Sequence, residues 1–517
     1  MGLNMENVQH NLTDTVTGIV LLLFVAAITS MLSKKVDKLP LTVLLVLVGI
    51  MISNFGQGIG IFASLIDFKL TPELVLFVFI PTLIFESAFN LDIKKVSRNL
   101  LPILSLAVPG LLISTGIIGF IFFQFTEFGF LVALLLGAIL SATDPVAVIS
   151  IFKQLGVPDR LTVLVEGESL FNDATALVLA TILTGLVVSG VFSTDILISG
   201  FSKFLIVFIG GIIVGLLFAF ITGWLIGMVE SDADIEITLT TILAYFAFIV
   251  AEHIFHVSGI MAVVASAMTM GSWGKSKISP STASFMEHFW EYLAYVANAL
   301  IFLLVGLQID LISLWQSLDL ILLVSVSMLF SRALVIFIGL PVIGKIPGSI
   351  PIGTPFKLVM YWGGLRGAIA LAIVLSLPEF EYKDTLVTIV MGAVLFTLVF
   401  QGLTIEVLVK FLGLNKLNDA DTITKLDGNI QARKKSMDRI SDLVAGGYFS
   451  ERIAENMRTR CDKDLDSLNN EIKYLSQSLS EEETLSILSL RCLARENKMI
   501  YDLFSQGLID ESAFREL

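Results

Sequence analysis

The stretch Gly137 to Leu177, GAILSATDPVAVISIFKQLGVPDRLTVLVEGESLFNDATAL, decides how the rest of the chain is read. Two apolar segments flank a short basic turn, Lys153 to Arg160. Four acidic residues, Asp144, Glu166, Glu168 and Asp173, lie inside or at the edges of those segments. A segment of about 20 apolar residues is long enough to span a bilayer as a helix. A charged side chain at its centre costs about 2.5–3.5 kcal/mol on insertion scales, so carboxylates at that depth mark a site. Pro145 removes a backbone donor and clashes with the turn before it, which opens the helix near Thr143 and Asp144. Irregular backbone at membrane depth is tolerated where it lines a cavity, and its freed carbonyls can hold a cation.

The rest of the chain fits that setting. Of 517 residues, 55% are apolar and 15% charged, against about a quarter charged in a soluble domain. Residues 413–517 hold 34 of the 79 charged side chains, leaving long uncharged stretches before them. The expectation is an all-α polytopic membrane protein: a short extracytoplasmic N-terminus at 1–14, a membrane domain at 15–412 and a helical cytoplasmic tail at 413–517. The net charge of −13 argues against a nucleic-acid partner. With only Cys461 and Cys492, both in the tail, neither a disulfide framework nor a cysteine metal cluster is expected. The first fourteen residues lack the basic region of a cleaved signal, and Glu6 breaks the myristoylation pattern.

About thirteen spans are predicted, at 15–33, 39–53, 73–90, 100–123, 128–152, 161–188, 201–228, 235–254, 258–273, 286–307, 318–343, 356–378 and 384–410. Loops after odd-numbered spans carry twelve basic residues, among them Lys34, Lys38, Lys94, Arg98, Lys153 and Lys275. Even-numbered loops carry only Lys69 and Lys383. Basic residues favour the cytoplasmic side, so the N-terminus is expected outside and the tail inside. One inner loop, Val229–Glu236, is acidic instead, with Glu230, Asp232, Asp234 and Glu236, and reads as a solvated loop.

Spans 5 and 12 each carry a charged interruption, SATDPVA (Ser141–Ala147) and WGGLRGAIA (Trp362–Ala370). They correspond if spans 1–6 and 8–13 are inverted six-helix repeats, and paired interrupted helices of that kind point to a transport site. Asp144 would then face positive helix N-termini, and Arg366 negative C-termini. In span 6, Glu168, Ser169, Asn172 and Asp173 fall within six positions, and i, i+4 spacing aligns Glu168 with Asn172 and Ser169 with Asp173. A desolvated carboxylate such as Asp173 can take a proton near neutral pH or a small cation when wet. Its structural alternative is an ion pair with Arg332 or Arg366. Arg332 needs an acidic partner in any case. Glu252, His253 and His256 resemble a metal site only superficially, because the order is not His-Glu-x-x-His and no third ligand is evident. Glu166, near the inner end of span 6, reads as hydrated.

SATDPVAV, EGESLFNDATA and GGLRGAIA, in that order, resemble the monovalent cation:proton antiporter-1 family, the NhaP/NHE-type sodium/proton antiporters, over residues 15–412. The resemblance implies a homodimer in the plasma (inner) membrane, with a mobile core bundle and a fixed dimerisation bundle. It implies no bound cofactor, only transported Na+ or Li+ and H+. Asp173 is implied to bind cation and proton, Na+ being held by Asp173, Ser169 and Thr143. Asn172 is its partner, as in electroneutral members. Asp144 belongs with Thr143 to the unwound helix, and Glu86 lines the cation path. Glu168 is implied to pair with Arg366. The alternatives weighed are a K+/H+ antiporter of the same fold, a cation channel, for which no filter repeat is visible, and an intramembrane aspartyl protease, for which no Gly-x-Gly-Asp motif occurs. In the tail, LVAGGYFSERI (Leu443–Ile453) and LFSQGLIDESA (Leu503–Ala513) echo each other, each with a helix-ending Gly and then Ser450 or Asp510 as an N-cap.

Overall fold

A computed structural model describes residues 2–35, 40–55, 65, 71–189, 194–229, 232–346, 350–415, 419–448, 450–477, 481–510 and 513. Lys38, Lys69 and Glu230, which entered the loop-charge reading, lie outside these residues. Among the described residues the regular structure is helical, with no strand. A bilayer core offers no water to unpaired backbone groups, and a helix satisfies them within one segment.

The long helices overlap the predicted stretches, although the first begins at Gly2 rather than at residue 15. They are α1 (Gly2–Ser33), α2 (Leu41–Phe55), α3 (Pro72–Asn90), α4 (Leu100–Phe125), α5a (Phe130–Ser141), α5b (Val146–Leu155), α6 (Asp159–Ser189), α7 (Thr194–Ile226), α8 (Ala233–Ile254), α9 (Gly259–Ser272), α10 (Pro280–Gln308), α11 (Leu318–Ile343), α12a (Thr354–Trp362), α12b (Ala368–Leu375) and α13 (Lys383–Phe411). Among the described residues, ten spans are long and apolar enough to cross a membrane, and α2 and α9 are shorter apolar helices. Both predicted interruptions are real: Ala142–Pro145 separates α5a from α5b, and Gly363–Gly367 separates α12a from α12b.

Periodicity did not announce a second irregularity. Among the described residues, five spans contain a π-helical turn, at Val75–Phe79, Leu106–Gly110, Val250–Ile254, Val335–Gly339 and Thr397–Gln401. Pro109 lies inside one, and Pro81 and Pro341 follow two others by two residues. The wider turn makes room for a ring that has no N–H to give.

Within the membrane unit, residues 1–155 and 159–412, the helices sort into two bundles. In one, α1 and α2 pack on α10, α3 packs on α9 and α10, and α7 and α8 pack on α9. Gly49 and Gly306 bring α2 and α10 into backbone contact, so a methyl on Gly49 would sit 2.8 Å from the Gly306 Cα. In the other, α5a packs on α4 and α6, α11 on α4 and α13, and α12b on α13 and α6. Of the most apolar stretch of α5, 78% is buried, against 28% for α7. Exposed Ile206, Ile213, Leu217, Phe220 and Trp224 make α7 a surface suited to lipid.

The acidic loop reading needs one correction. Asp232 caps α8 by accepting from the N–H groups of Asp234 and Ile235. Glu236 is fully buried, and its carboxylate accepts from the N–H (3.0 Å) and the hydroxyl of Ser279, at the start of α10. A helix start leaves N–H groups unpaired, and a carboxylate there answers both the lone donor and the dipole.

The second unit includes residues 413–517. Its helices are α14 (Asp419–Ala445), α15 (Glu451–Ser476) and α16 (Glu481–Ser505), with α14 packed on α15. The sequence echo is structural in part. Gly447 (φ 73°) and Gly507 (φ 69°) both end helices in the left-handed conformation, and Tyr448 and Leu508 donate back to Leu443 and Leu503. The caps differ: Asp510 accepts from the Ala513 N–H, whereas the Ser450 side chain makes no capping bond.

Candidate functional site

The two interruptions meet. The Asp144 N–H donates to the Leu365 carbonyl at 2.9 Å, joining the breaks backbone to backbone. The Asp144 carboxylate accepts from the Val146 N–H at 3.0 Å and from the Ala368 N–H, so one side chain caps both α5b and α12b. Each helix start carries about half a positive charge, which an anion offsets. Gly367 is required there, because a side-chain carbon would collide with that carboxylate.

Helix α6 runs past the crossing and answers the open end of α5a. Asn172 donates to the Ser141 carbonyl at 3.0 Å and to the Thr143 hydroxyl at 3.1 Å. Ser169 donates to the Thr143 carbonyl and is also in hydrogen-bond contact with the Asp173 carboxylate. Asn172 and Ser169 are each 2% exposed and Asp173 8%. The Asn172 Oδ1 is buried without a partner. Thr143, Asp144, Ser169 and Asp173 line one cavity of about 70 Å3, closed on the α3 side by Ile80, Ile84 and Ser87. That is room for a few water-sized groups. A carbonyl, a hydroxyl and a carboxylate facing so small a space are hard oxygen donors, suited to an alkali cation rather than a soft metal.

The expected partner of Glu168 is corrected by the structure. Glu168 is held by both terminal nitrogens of Arg332, with Nη2 to Oε2 at 3.0 Å, and Arg332 Nη2 also donates to the Met360 carbonyl at 3.1 Å. This two-pronged pairing suits a guanidinium and a carboxylate. It gives Arg332 the acid its sequence context did not identify. Arg366, 3% exposed, donates instead to the Gly364 carbonyl at 3.1 Å, while its own N–H donates to Thr397 Oγ1.

Glu86 is not on the cavity wall; it accepts from Asn90 at 3.2 Å. Its neighbour Ser87, which drew no notice in the sequence, lines the cavity and donates to Glu166 at 3.0 Å. Glu166 is thus bonded and half-buried rather than simply hydrated. At the far end of α8, Glu252 accepts from the Gly259 N–H at 3.1 Å and His253 stacks on Phe77. Among the described residues no three His, Cys, Asp or Glu side chains converge as metal ligands.

A multi-pass helical protein in which two broken helices cross beside buried, oxygen-lined carboxylates defines a membrane ion transporter. Residues 19–411 match the family described as "Sodium/hydrogen exchanger, transmembrane", and the chain belongs to that family, the monovalent cation:proton antiporter-1 group. It is 36% identical over 416 residues to the Na(+)/H(+) antiporter ApNhaP of Aphanothece halophytica, covering 79% of this chain and 76% of that one. It is 33% identical over 499 residues to the low-affinity Na(+)/H(+) antiporter NhaS1 of Synechocystis sp., covering 93% and 91%. The sodium proton antiporter MjNhaP1 of Methanocaldococcus jannaschii shares the fold, with a TM-score of 0.63 at 23% identity over 78% of this chain and 99% of that one.

Proposed function

We propose that the protein is an electroneutral Na+(Li+)/H+ antiporter working by alternating access, in which cation and proton compete for Asp173. The observation that carries this reading is the chain of contacts from Asp173 to Ser169 to the Thr143 carbonyl. One hydroxyl hydrogen faces two acceptors. With Asp173 protonated, the carboxyl can donate to Ser169 and Ser169 to Thr143, so every group is satisfied. With Asp173 ionised, the carboxylate and the Thr143 carbonyl are left competing for one hydrogen, and a desolvated Na+ supplies the missing positive charge to both. Each loaded state is self-consistent and excludes the other.

Asn172 spends both amide hydrogens on the α5a end and adds no charge beside Asp173. One carboxylate then exchanges one cation for one proton, and no net charge moves. Activity is expected to pass through a maximum with pH, because protons saturate the site on the acid side and Na+ on the alkaline side. The loop charges argue for an N-terminus outside and a cytoplasmic tail, in the plasma (inner) membrane, and the two bundles suit a homodimer in which one bundle is static.

ΔpH-driven Na+ uptake into proteoliposomes tests the assignment. Asp173→Asn is expected to fall to the protein-free background, and retention of wild-type exchange would overturn it. A Na+-driven current carried by the wild-type protein without an ion leak would contradict electroneutrality.

A further inference from the structure

A second, much smaller cavity of about 10 Å3 lies between α11, the α12 interruption and α13, lined in part by Arg332, Tyr361, Arg366, Thr397 and Gln401. Three buried polar atoms of its wall have no partner: Nε of Arg332, Nε of Arg366 and Oε1 of Gln401. Two are donors and the third an acceptor. Groups of this kind are rarely left dry in the interior, and the space is about that of one water molecule. A water can accept both guanidinium N–H bonds while donating to the amide oxygen. Chloride is too large for the space and would face the Gln401 oxygen.

We propose that one structural water occupies this cavity and bridges Arg332, Arg366 and Gln401, making Gln401 a positioning residue for Arg366. Gln401 and Thr397 are the two ends of the π-helical turn in α13. They stand one turn apart, and such turns recur at functional sites. Thr397 accepts the backbone N–H of Arg366 at 3.1 Å, Gly364 accepts from its Nη1, and the water held by Gln401 accepts from its otherwise unpartnered Nε. The guanidinium is thereby tied down in the middle of the crossing.

Its position matters to exchange, a point that rests on the assignment of Asp173 above. The charged groups acting on Asp173 are Asp144 from α5 and Arg366 from α12, with Glu168 and Arg332 paired beside Arg366. From α3 the cavity receives Ile80, Leu83, Ile84 and Ser87, none of them charged; Glu86 and Glu166 lie beyond its wall. A fixed cation near a carboxylate favours the ionised form. Freeing Arg366 would strengthen the hold of Asp173 on both of its competing cations, so that protons stay to higher pH and Na+ binds more tightly once they have left.

Gln401→Leu keeps side-chain bulk and removes the acceptor. In proteoliposomes its pH profile is expected to move alkaline by about 0.5 pH unit, equivalent to about threefold in proton competition. The KM for Na+ well on the alkaline side of the profile should fall by a similar factor, with the maximal rate at the new optimum within about twofold of wild type. Thr397→Val should shift the profile the same way, and the double variant by less than the sum, because both act through Arg366. A folded Gln401→Leu protein with the wild-type profile and KM, or fully additive shifts, would overturn the positioning role. Should Gln401→Leu not fold, Thr397→Val still carries the test of Arg366. A cryo-EM map of the full chain at about 2 Å reads the water directly and independently of the role of Asp173. Density within hydrogen-bond distance of all three atoms is expected; an amide turned away from the cavity, or no density there, would refute the bridge.

Discussion

The two interruptions do the same thing to the backbone and opposite things to the charge. In α5 the break is made by Pro145, and its carbonyl end is met by neutral groups, Asn172 at Ser141 and Ser169 at Thr143. In α12 the break is made by glycines, and its carbonyl end is met by guanidiniums, Arg332 at Met360 and Arg366 at Gly364. Asp144 takes the N-terminal ends of both. The difference agrees with the cation site proposed on the α5 side. Carbonyls already occupied by fixed positive charge cannot take a mobile one, whereas the Thr143 carbonyl shares its partner with a carboxylate and is the one that the proposed Na+ would meet.

That contrast can be broken most severely at Glu168. Glu168→Gln leaves Arg332 charged and buried without its partner, which typically costs about 3–5 kcal/mol. Thermal melting in detergent should show a large loss of stability, and an unchanged melting temperature would mean that the guanidinium is neutralised by some other group. Gly367→Ala comes next, because its methyl must displace the Asp144 carboxylate from the α12b start; overpacking of this sort costs about 1–3 kcal/mol. Exchange should fall with it, and wild-type transport by a stable Gly367→Ala protein would show that the crossing is looser than described. The smallest effect is expected for Asp144→Asn, which keeps the side-chain shape and one capping acceptor but turns an amide NH2 toward the other helix start and loses the charge, worth about 0.3–1 kcal/mol per dipole interaction. Asp144→Ala should cost about 1 kcal/mol more through the lost cap. Equal melting points for the two variants would argue that the carboxylate bonds are idle.

Much of this architecture was legible beforehand, for local reasons. Pro145 and the Gly363–Gly367 run act on their own turns, so both breaks could be placed, and the glycines at 447 and 507 announced two matching helix ends. The cluster Glu168–Asp173 was visible because i, i+4 spacing is fixed by the helix. What failed depended on distance through space. Glu168 had two arginines to choose from, 164 and 198 positions away in sequence, and nothing in either neighbourhood ranked them. Glu236 looked like one of four loop acids until the fold brought Ser279 against it. Ser87 was silent because a serine on an apolar helix usually bonds its own backbone. The π-helical turns shift the helical phase by a residue without altering composition, so a window of apolar residues reads the same with or without one.

The bond from the Asp144 N–H to the Leu365 carbonyl is a single backbone tie between two non-helical segments. It carries no side chain, so no substitution short of proline can delete it, and it joins peptide units 221 positions apart in sequence. Mechanically it rivets α5 to α12. A tilt of one broken helix pulls on the other through this bond, and so on the Thr143 carbonyl, which belongs to the same peptide group as the Asp144 N–H. In the alternating access proposed above, Na+ held there would ride with the crossing as cargo on a carriage, and the stroke need not loosen the site's grip on the way.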